Sequence, residues 1–273
     1  MINKLLTKYL DTKKIQYETH VDLKKRTWIH RGGIAGIFIS PVSADELETI
    51  VSFLYSEEIS FLLIGHTSNL YILNECNIPV VVSTAKCKYF HVENGELFCE
   101  AGVGVINLSK QMIKQGIKGF EYLTGLPGTV VLKDGTIKIF HPEDFKYEFR
   151  NSVFKKHEVE GTIISTVLKV TFGDAAKMQQ MAEENDQDRA KRLEGYSKNL
   201  GCTVNRCFIN GRMALWLKIV LFVNGLFARL FIKTEDGRSN QRKNLICTLT
   251  GYKSIAPYVS QKNPIIFSWI DEG

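Results

Sequence analysis

Phe61-Leu62-Leu63-Ile64-Gly65-His66-Thr67-Ser68-Asn69 is the stretch on which the reading of this chain turns. The apolar run reads as a buried strand, and the strand ends in a small, polar turn opened by glycine. A junction of this kind brings backbone N–H groups close to a bound phosphate. Gly65 permits close backbone approach, and the Thr67 and Ser68 hydroxyls and the Asn69 amide can donate to phosphate oxygens. Many strands end in glycine and polar residues, so the junction gains meaning from its company. Arg31-Gly32-Gly33 precedes it, and Leu126-Pro127-Gly128-Thr129 and Phe149-Arg150-Asn151-Ser152 follow. Gly125 and Gly128 around Pro127 form a second rigid, donor-rich turn.

Working outward, residues 1–16 read as a short helix with Leu5, Leu6, Tyr9 and Leu10 on one side. Ile34–Ile39 reads as a strand stopped by Pro41. Ser43-Ala44-Asp45-Glu46 caps a helix running to about Ser56, with Leu47, Ile50, Val51 and Leu54 on its buried face. Strands follow at Ser60–Ile64, Val80–Ser83, Tyr89–Val92 and Leu97–Ala101, the last two joined by a hairpin turn at Glu93-Asn94-Gly95. A helix from about Ile106 to Gln115 stops at Gly116, which suits a left-handed cap. A second hairpin turns at Lys133-Asp134-Gly135, between Val130–Leu132 and Thr136–Phe140. Ile163–Phe172 reads as one more strand, and a charged helix runs from about Ala175 to Leu193. The pattern is α+β.

The 273 residues suffice for one large domain or two modest ones. With 35 Lys+Arg against 29 Asp+Glu, the net charge of +6 favours an anionic ligand. No arginine-rich tract or RNP-like aromatic motif is present, so no nucleic-acid partner is expected. The six cysteines form no CxxC pair, and no His pair stands at i, i+4. Cys202 and Cys207 lack partners at zinc spacing, so no metal site is expected. Residues 1–6 lack the apolar core of a secretory signal, and the expected setting is the reducing cytoplasm.

Met213–Phe231 differs in kind, being apolar except for Lys218, Asn224, Gly225 and Arg229. Its length approaches the roughly 20 residues of a membrane span. Each interior cation would cost about 2.5–3.5 kcal/mol at mid-bilayer, which argues against simple spanning. Lys218 and Arg229 lie about three helical turns apart and so share a face. Two readings stay open: a buried or dimer-forming helix, or peripheral attachment to an anionic membrane or a partner protein.

The order of these motifs resembles that of the UDP-N-acetylenolpyruvoylglucosamine reductases (MurB). Thr27–Gly33 resembles the family's TT-x-x-x-GG segment, and Gly65-His66-Thr67-Ser68-Asn69-Leu70 resembles its GGGSNLL loop. Ala101-Gly102-Val103-Gly104 matches AGAG, Gly119–Val130 follows GLExLxGIPGTVG, and Phe149–Phe154 resembles YRxSxF. Asn199-Leu200-Gly201-Cys202 stands where the family has xAGS or xAGC. The resemblance covers roughly residues 20–206.

It implies a vanillyl-alcohol-oxidase/PCMH-type FAD-binding fold over residues 1–172, and a divergent, partly helical C-terminal region over 173–273. It also implies a flavin pyrophosphate held by Gly65, His66, Thr67, Ser68, Asn69 and Leu70, by Gly102, and by Gly125, Leu126, Pro127, Gly128 and Thr129. By the same resemblance Arg150 holds the carboxylate of the substrate, Cys202 supplies a proton, and NADPH donates hydride through FAD. The implied substrate is a UDP-sugar with an enolpyruvyl-type group, in cell-wall or surface-polysaccharide synthesis.

Three departures qualify this. Gly128-Thr129-Val130 runs almost directly into Val131-Leu132-Lys133-Asp134-Gly135, so a family segment that walls the flavin is absent, leaving a more open flavin site or none. His66 replaces a glycine, open to a ligand or to solvent. After Cys202 the family's Lys-Asn pair gives way to Thr203-Val204-Asn205-Arg206, and beyond residue 206 no family match is found. The competing readings are therefore a repurposed or non-catalytic flavin- or nucleotide-binding module, and an oxidase of a different, lipid-linked sugar.

Overall fold

The computed structural model describes residues 2–68, 70–118, 128–148, 151–192, 199–202 and 266–268, and separate positions at 220, 223, 224, 231, 232, 241 and 245. The chain divides into two compact units. The first comprises residues 1–67 and 72–183, and the second 68–71 and 184–273.

The first unit begins with α1 (Ile2–Lys13), β1 (Tyr17–Asp22), β2 (Ile34–Ile39), α2 (Ala44–Ser56), β3 (Leu62–Ile64) and β4 (Asn77–Ser83). These strands form one sheet in the order β1-β2-β4-β3, with β1 antiparallel and the other three parallel. Next come β5 (Phe90–Glu93), β6 (Glu96–Glu100), α3 (Val105–Lys114), β7 (Ile117–Lys118), β8 (Gly128–Leu132), β9 (Ile137–Phe140), β10 (Gly161–Lys169), β11 (Thr171–Phe172) and α4 (Ala175–Arg192). A second, antiparallel sheet runs β5-β6-β10-β8-β9, and β7 pairs separately with β11.

The expected helix after Pro41 forms as read. Ser43 Oγ accepts the Glu46 N–H at 3.2 Å, and Leu47, Ile50, Val51 and Leu54 are buried. The reciprocal arm of the capping box is displaced by one residue, because the Glu46 carboxylate accepts from the Val42 N–H at 3.0 Å. This buried face meets Ile37 and Ile39 of β2 and Val80 and Val82 of β4. Leu6 and Leu10 of α1, and Val131 and Ile164 of the second sheet, complete the same core. Each fully buried Leu or Ile contributes about 1.5–3 kcal/mol. Since α2 is buried against residues of both sheets, this core joins them.

The hairpin between β5 and β6 turns through Asn94 and Gly95, both at positive φ, the pairing a type I′ turn demands. α3 ends at Gly116, whose φ of 71° is the expected left-handed cap. α3 lays Leu108 and Met112 on Leu97, Cys99 and Ile117.

The structure also differs from the sequence expectation. Residues 17–22 form β1, an edge strand that is mostly exposed and lacks an apolar alternation. The single strand expected over Ile163–Phe172 is two, β10 and β11. The chain departs from the sheet at Val170, whose N–H donates to Gly95 O at 2.9 Å.

In the second unit β12 (Asn199–Cys202) pairs antiparallel with β13 (Ile266–Ser268), setting Cys202 opposite Ile266. Of the apolar stretch 213–231, only Val220, Val223, Asn224 and Phe231 are described, all helical; the rest lies outside the described residues. Among the described residues no helix is long and apolar enough to cross a membrane.

Candidate functional site

β3 delivers the Gly65 loop to the rim of a cavity of about 580 Å³, within the size range of ligand pockets. Gly65, Thr84, Ala101, Val103 and Val105 are among its lining residues. Cys99, Leu108, Leu168, Phe145, Tyr147 and Phe154 also line it. A larger hollow of about 790 Å³, beside Tyr55, Glu58, Phe61, Lys133 and Glu160, contains none of the candidate residues.

Two glycines of the motif set play different parts. A Cβ on Gly102 would meet Thr84 O at 1.8 Å and Cys87 O at 2.7 Å, so this glycine lets two backbone segments touch. The Gly102 N–H donates to Cys87 O at 2.8 Å. A Cβ on Gly65 would meet only Thr84 Oγ1 at 3.7 Å. The missing side chain at Gly65 therefore leaves room in the cavity rather than serving internal packing. That is a cradle shaped for a ligand group approaching the backbone, and it fits the close approach a flavin pyrophosphate needs.

The loop is held from two sides. His66 Nε2–H donates to Gly102 O at 2.8 Å, tying the loop to the 101–104 turn and fixing the ring tautomer. Thr67 is 7% exposed, and its hydroxyl accepts the Trp28 N–H at 2.7 Å. Thr67 also carries φ 57°, a conformation a β-branched residue rarely adopts and one that costs about 1–3 kcal/mol. The hydrogen bond from the Trp28 N–H ties its hydroxyl in place. Thr67 thus faces inward, where the sequence placed its hydroxyl toward phosphate.

Ser68 and Leu70 are described but belong to the second unit. Asn69, Gly125, Leu126, Pro127 and Arg150 lie outside the described residues. Gly128 and Thr129 open β8, opposite Thr166 and Ser165 of β10.

Three features escaped the sequence reading. α3 begins at the cavity edge with no side-chain cap on its first turn, so its N-terminal N–H groups and dipole favour an anion. Glu100 is buried, and its two oxygens accept from Ala44 N–H and Tyr89 N–H at 2.9 Å each. It anchors the N-terminus of α2 to the second sheet. The third is the aromatic side of the cavity, Phe145, Tyr147 and Phe154.

The thiols here are acids only at high pH. Burial, with the Glu100 and Glu46 carboxylates adding to it, pushes Cys87 up to about 12, and its Sγ–H donates to Pro41 O and Ser43 O. Burial pushes Cys99, on the cavity wall, up to about 11.

No family model matches the chain. Its fold is that of a solved UDP-N-acetylenolpyruvylglucosamine reductase (MurB) from Thermus caldophilus. The two share a TM-score of 0.55 at 19% identity, over 70% of this chain and 75% of that one. This is the vanillyl-alcohol-oxidase/PCMH-type architecture, in an α+β chain. By sequence it is 25% identical to the UDP-N-acetylenolpyruvoylglucosamine reductase of Bacillus subtilis (strain 168), over 64% of this chain and 65% of the relative. It is 27% identical to that of Carboxydothermus hydrogenoformans (strain ATCC BAA-161 / DSM 6008 / Z-2901), over 67% and 68%. The chain is similar to these reductases at a divergent level, and the match spans slightly less than two thirds of the length of the Bacillus relatives.

Proposed function

We propose that this chain binds FAD and reduces a UDP-sugar carrying an enolpyruvyl-type group, in cell-wall or surface-polysaccharide synthesis. The observation that carries the reading is the cradle at Gly65, open to the cavity where a side chain would otherwise stand. The Gly65–Leu70 loop, the 125–129 turn and the uncapped start of α3 hold the pyrophosphate through backbone N–H groups. FAD supplies hydride transfer, with NADPH as the donor. Arg150 clamps the substrate carboxylate with its guanidinium fork. Cys202 gives a proton to the substrate carbon that becomes electron-rich, the work of a positioned general acid. In this reading residues 1–172 are the flavin domain and 173–273 a divergent C-terminal region.

Purified protein tests this directly. A visible flavin spectrum, and NADPH oxidation stimulated by UDP-N-acetylglucosamine enolpyruvate, are the expected results. Colourless protein that takes up no added FAD would refute the reading. In an active enzyme Cys202→Ala lowers turnover by roughly 10²–10⁴-fold with substrate binding retained.

A second reading, a flavin- or nucleotide-binding module without this reaction, is favoured by the committed chemistry of the cavity. The Glu100 oxygens are occupied by backbone donors, and Cys99 holds its proton to about pH 11. Bound flavin with no NADPH oxidation would select this reading. The 213–231 stretch is then the contact to a membrane or protein, and liposome flotation of the full chain tests the membrane case.

A further inference from the structure

We propose that Phe145 and Tyr147 form a stacked aromatic wall that receives the flavin ring system, replacing the wall segment this chain lacks after Val130. The inference rests on the flavin reading and assigns residues to it. Phe145 is 3% exposed and packs with Val130, Phe140 and Val153. Its ring lies 5.5 Å from Phe140 and 5.7 Å from Phe154, and Phe140 and Phe154 are 5.4 Å apart. The Phe145 carbonyl accepts the Val153 N–H at 3.0 Å, fixing the backbone beneath the ring.

On this immobile base lies Tyr147, centroid 5.0 Å from Phe145 and planes 7° apart. Tyr147 lines the cavity and is 48% exposed. One face of the phenol is therefore backed by protein while the other remains open. Aromatic rings favour such offset parallel stacking, and a rigid ring loses little entropy when a planar ligand settles on it. Aliphatic side chains, Val103, Leu108 and Leu168, line the same cavity, as does Gly65. A cavity lined by a stacked aromatic pair, by aliphatic side chains and by the open backbone at Gly65 suits a flat fused ring with a phosphate tail.

The geometry also accounts for the short connection after β8. The Lys133-Asp134-Gly135 turn returns the chain at once along β9, and the segment following β9 brings Phe145 and Tyr147 to the cavity.

The test uses the full chain loaded with FAD. A phenol close to the flavin ring quenches its emission by electron donation, and a phenyl ring does not. Tyr147→Phe therefore keeps the FAD Kd within about twofold while flavin emission rises severalfold. Tyr147→Leu raises emission and weakens FAD by about tenfold. Tyr89→Leu, an exposed tyrosine away from the cavity, changes neither. Unchanged emission in Tyr147→Phe together with unchanged Kd in Tyr147→Leu would overturn the proposal while leaving flavin binding standing. Wild-type protein that takes up no FAD overturns both, and its lack of visible absorbance separates that outcome from the first.

Discussion

Gly65 and Gly102 belong to the same set of glycine motifs, yet the structure predicts opposite consequences for adding a side chain. Gly102→Ala would drive a methyl to 1.8 Å from Thr84 O and 2.7 Å from Cys87 O, both backbone atoms that cannot turn aside. Overpacking of this kind costs about 3 kcal/mol, and a domain of this size loses roughly 2–4 °C of Tm per kcal/mol. The expected fall in the flavin-free protein is therefore about 6–12 °C. Gly65→Val places its first carbon 3.7 Å from Thr84 Oγ1, an ordinary contact, and its methyls in the cavity. Stability should change by no more than about 0.5 kcal/mol, under about 2 °C. The same methyls occupy the cradle, and FAD affinity should fall about 10- to 100-fold. Differential scanning fluorimetry on flavin-free protein and titration with FAD read the two quantities separately. A Gly65→Val protein that melts far below wild type, or binds FAD equally well, would refute the assignment of Gly65 to a ligand rather than to packing.

Thr67→Val removes the acceptor for the Trp28 N–H at a 7% exposed site, so it should cost about 1–3 kcal/mol and weaken FAD, with Thr67→Ser restoring both. Glu100→Gln turns an amide NH₂ toward a backbone donor at Ala44 or Tyr89; a loss of about 2–4 kcal/mol in urea melts is expected, with Cys99 on the cavity wall becoming labelled faster. The raised Cys87 and Cys99 acidities set a pH dependence. Between pH 9 and about 11–12 the unfolded thiols lose protons that the folded ones keep, so stability is full below pH 9 and falls as pH rises. The slope is up to about 1.4 kcal/mol per pH unit for each thiol, and Cys87→Ala should flatten it in denaturation curves from pH 8 to 10.5.

What the sequence disclosed follows from how local each signal is. The α2 cap, the Asn94-Gly95 turn and the Gly116 stop depend on a few neighbouring residues, and all three form as read. β1 depends on β2 for its existence; Tyr17–Asp22 carries no apolar alternation, and only pairing with Ile34–Ile39 makes it a strand. Glu100 looks like a surface charge on a strand, because its two donors sit at Ala44 and Tyr89, far along the chain or across a turn. The Phe145–Tyr147 stack lies just before the Arg150 motif, but an i, i+2 aromatic pair in a loop has no distinctive pattern. The glycine loop was legible as a turn closing strand β3, whereas the inward turn of Thr67 required knowing where Trp28 would lie.

The position of α2 also bears on how this lineage could diverge. With Val131 and Ile164 buried in the core that includes Leu47, Ile50, Val51 and Leu54, the two sheets share their largest interior. Proteolysis or truncation between the sheets should therefore leave no folded half, and melting of the first unit should be a single transition. β9, by contrast, is an edge strand of the second sheet, joined to β8 by a tight turn. Segments can be gained or lost at that margin with little effect on the shared interior. The architecture is conservative at its centre and permissive at its rim, so a chain can keep the scaffold while the walls of its cavity are rebuilt.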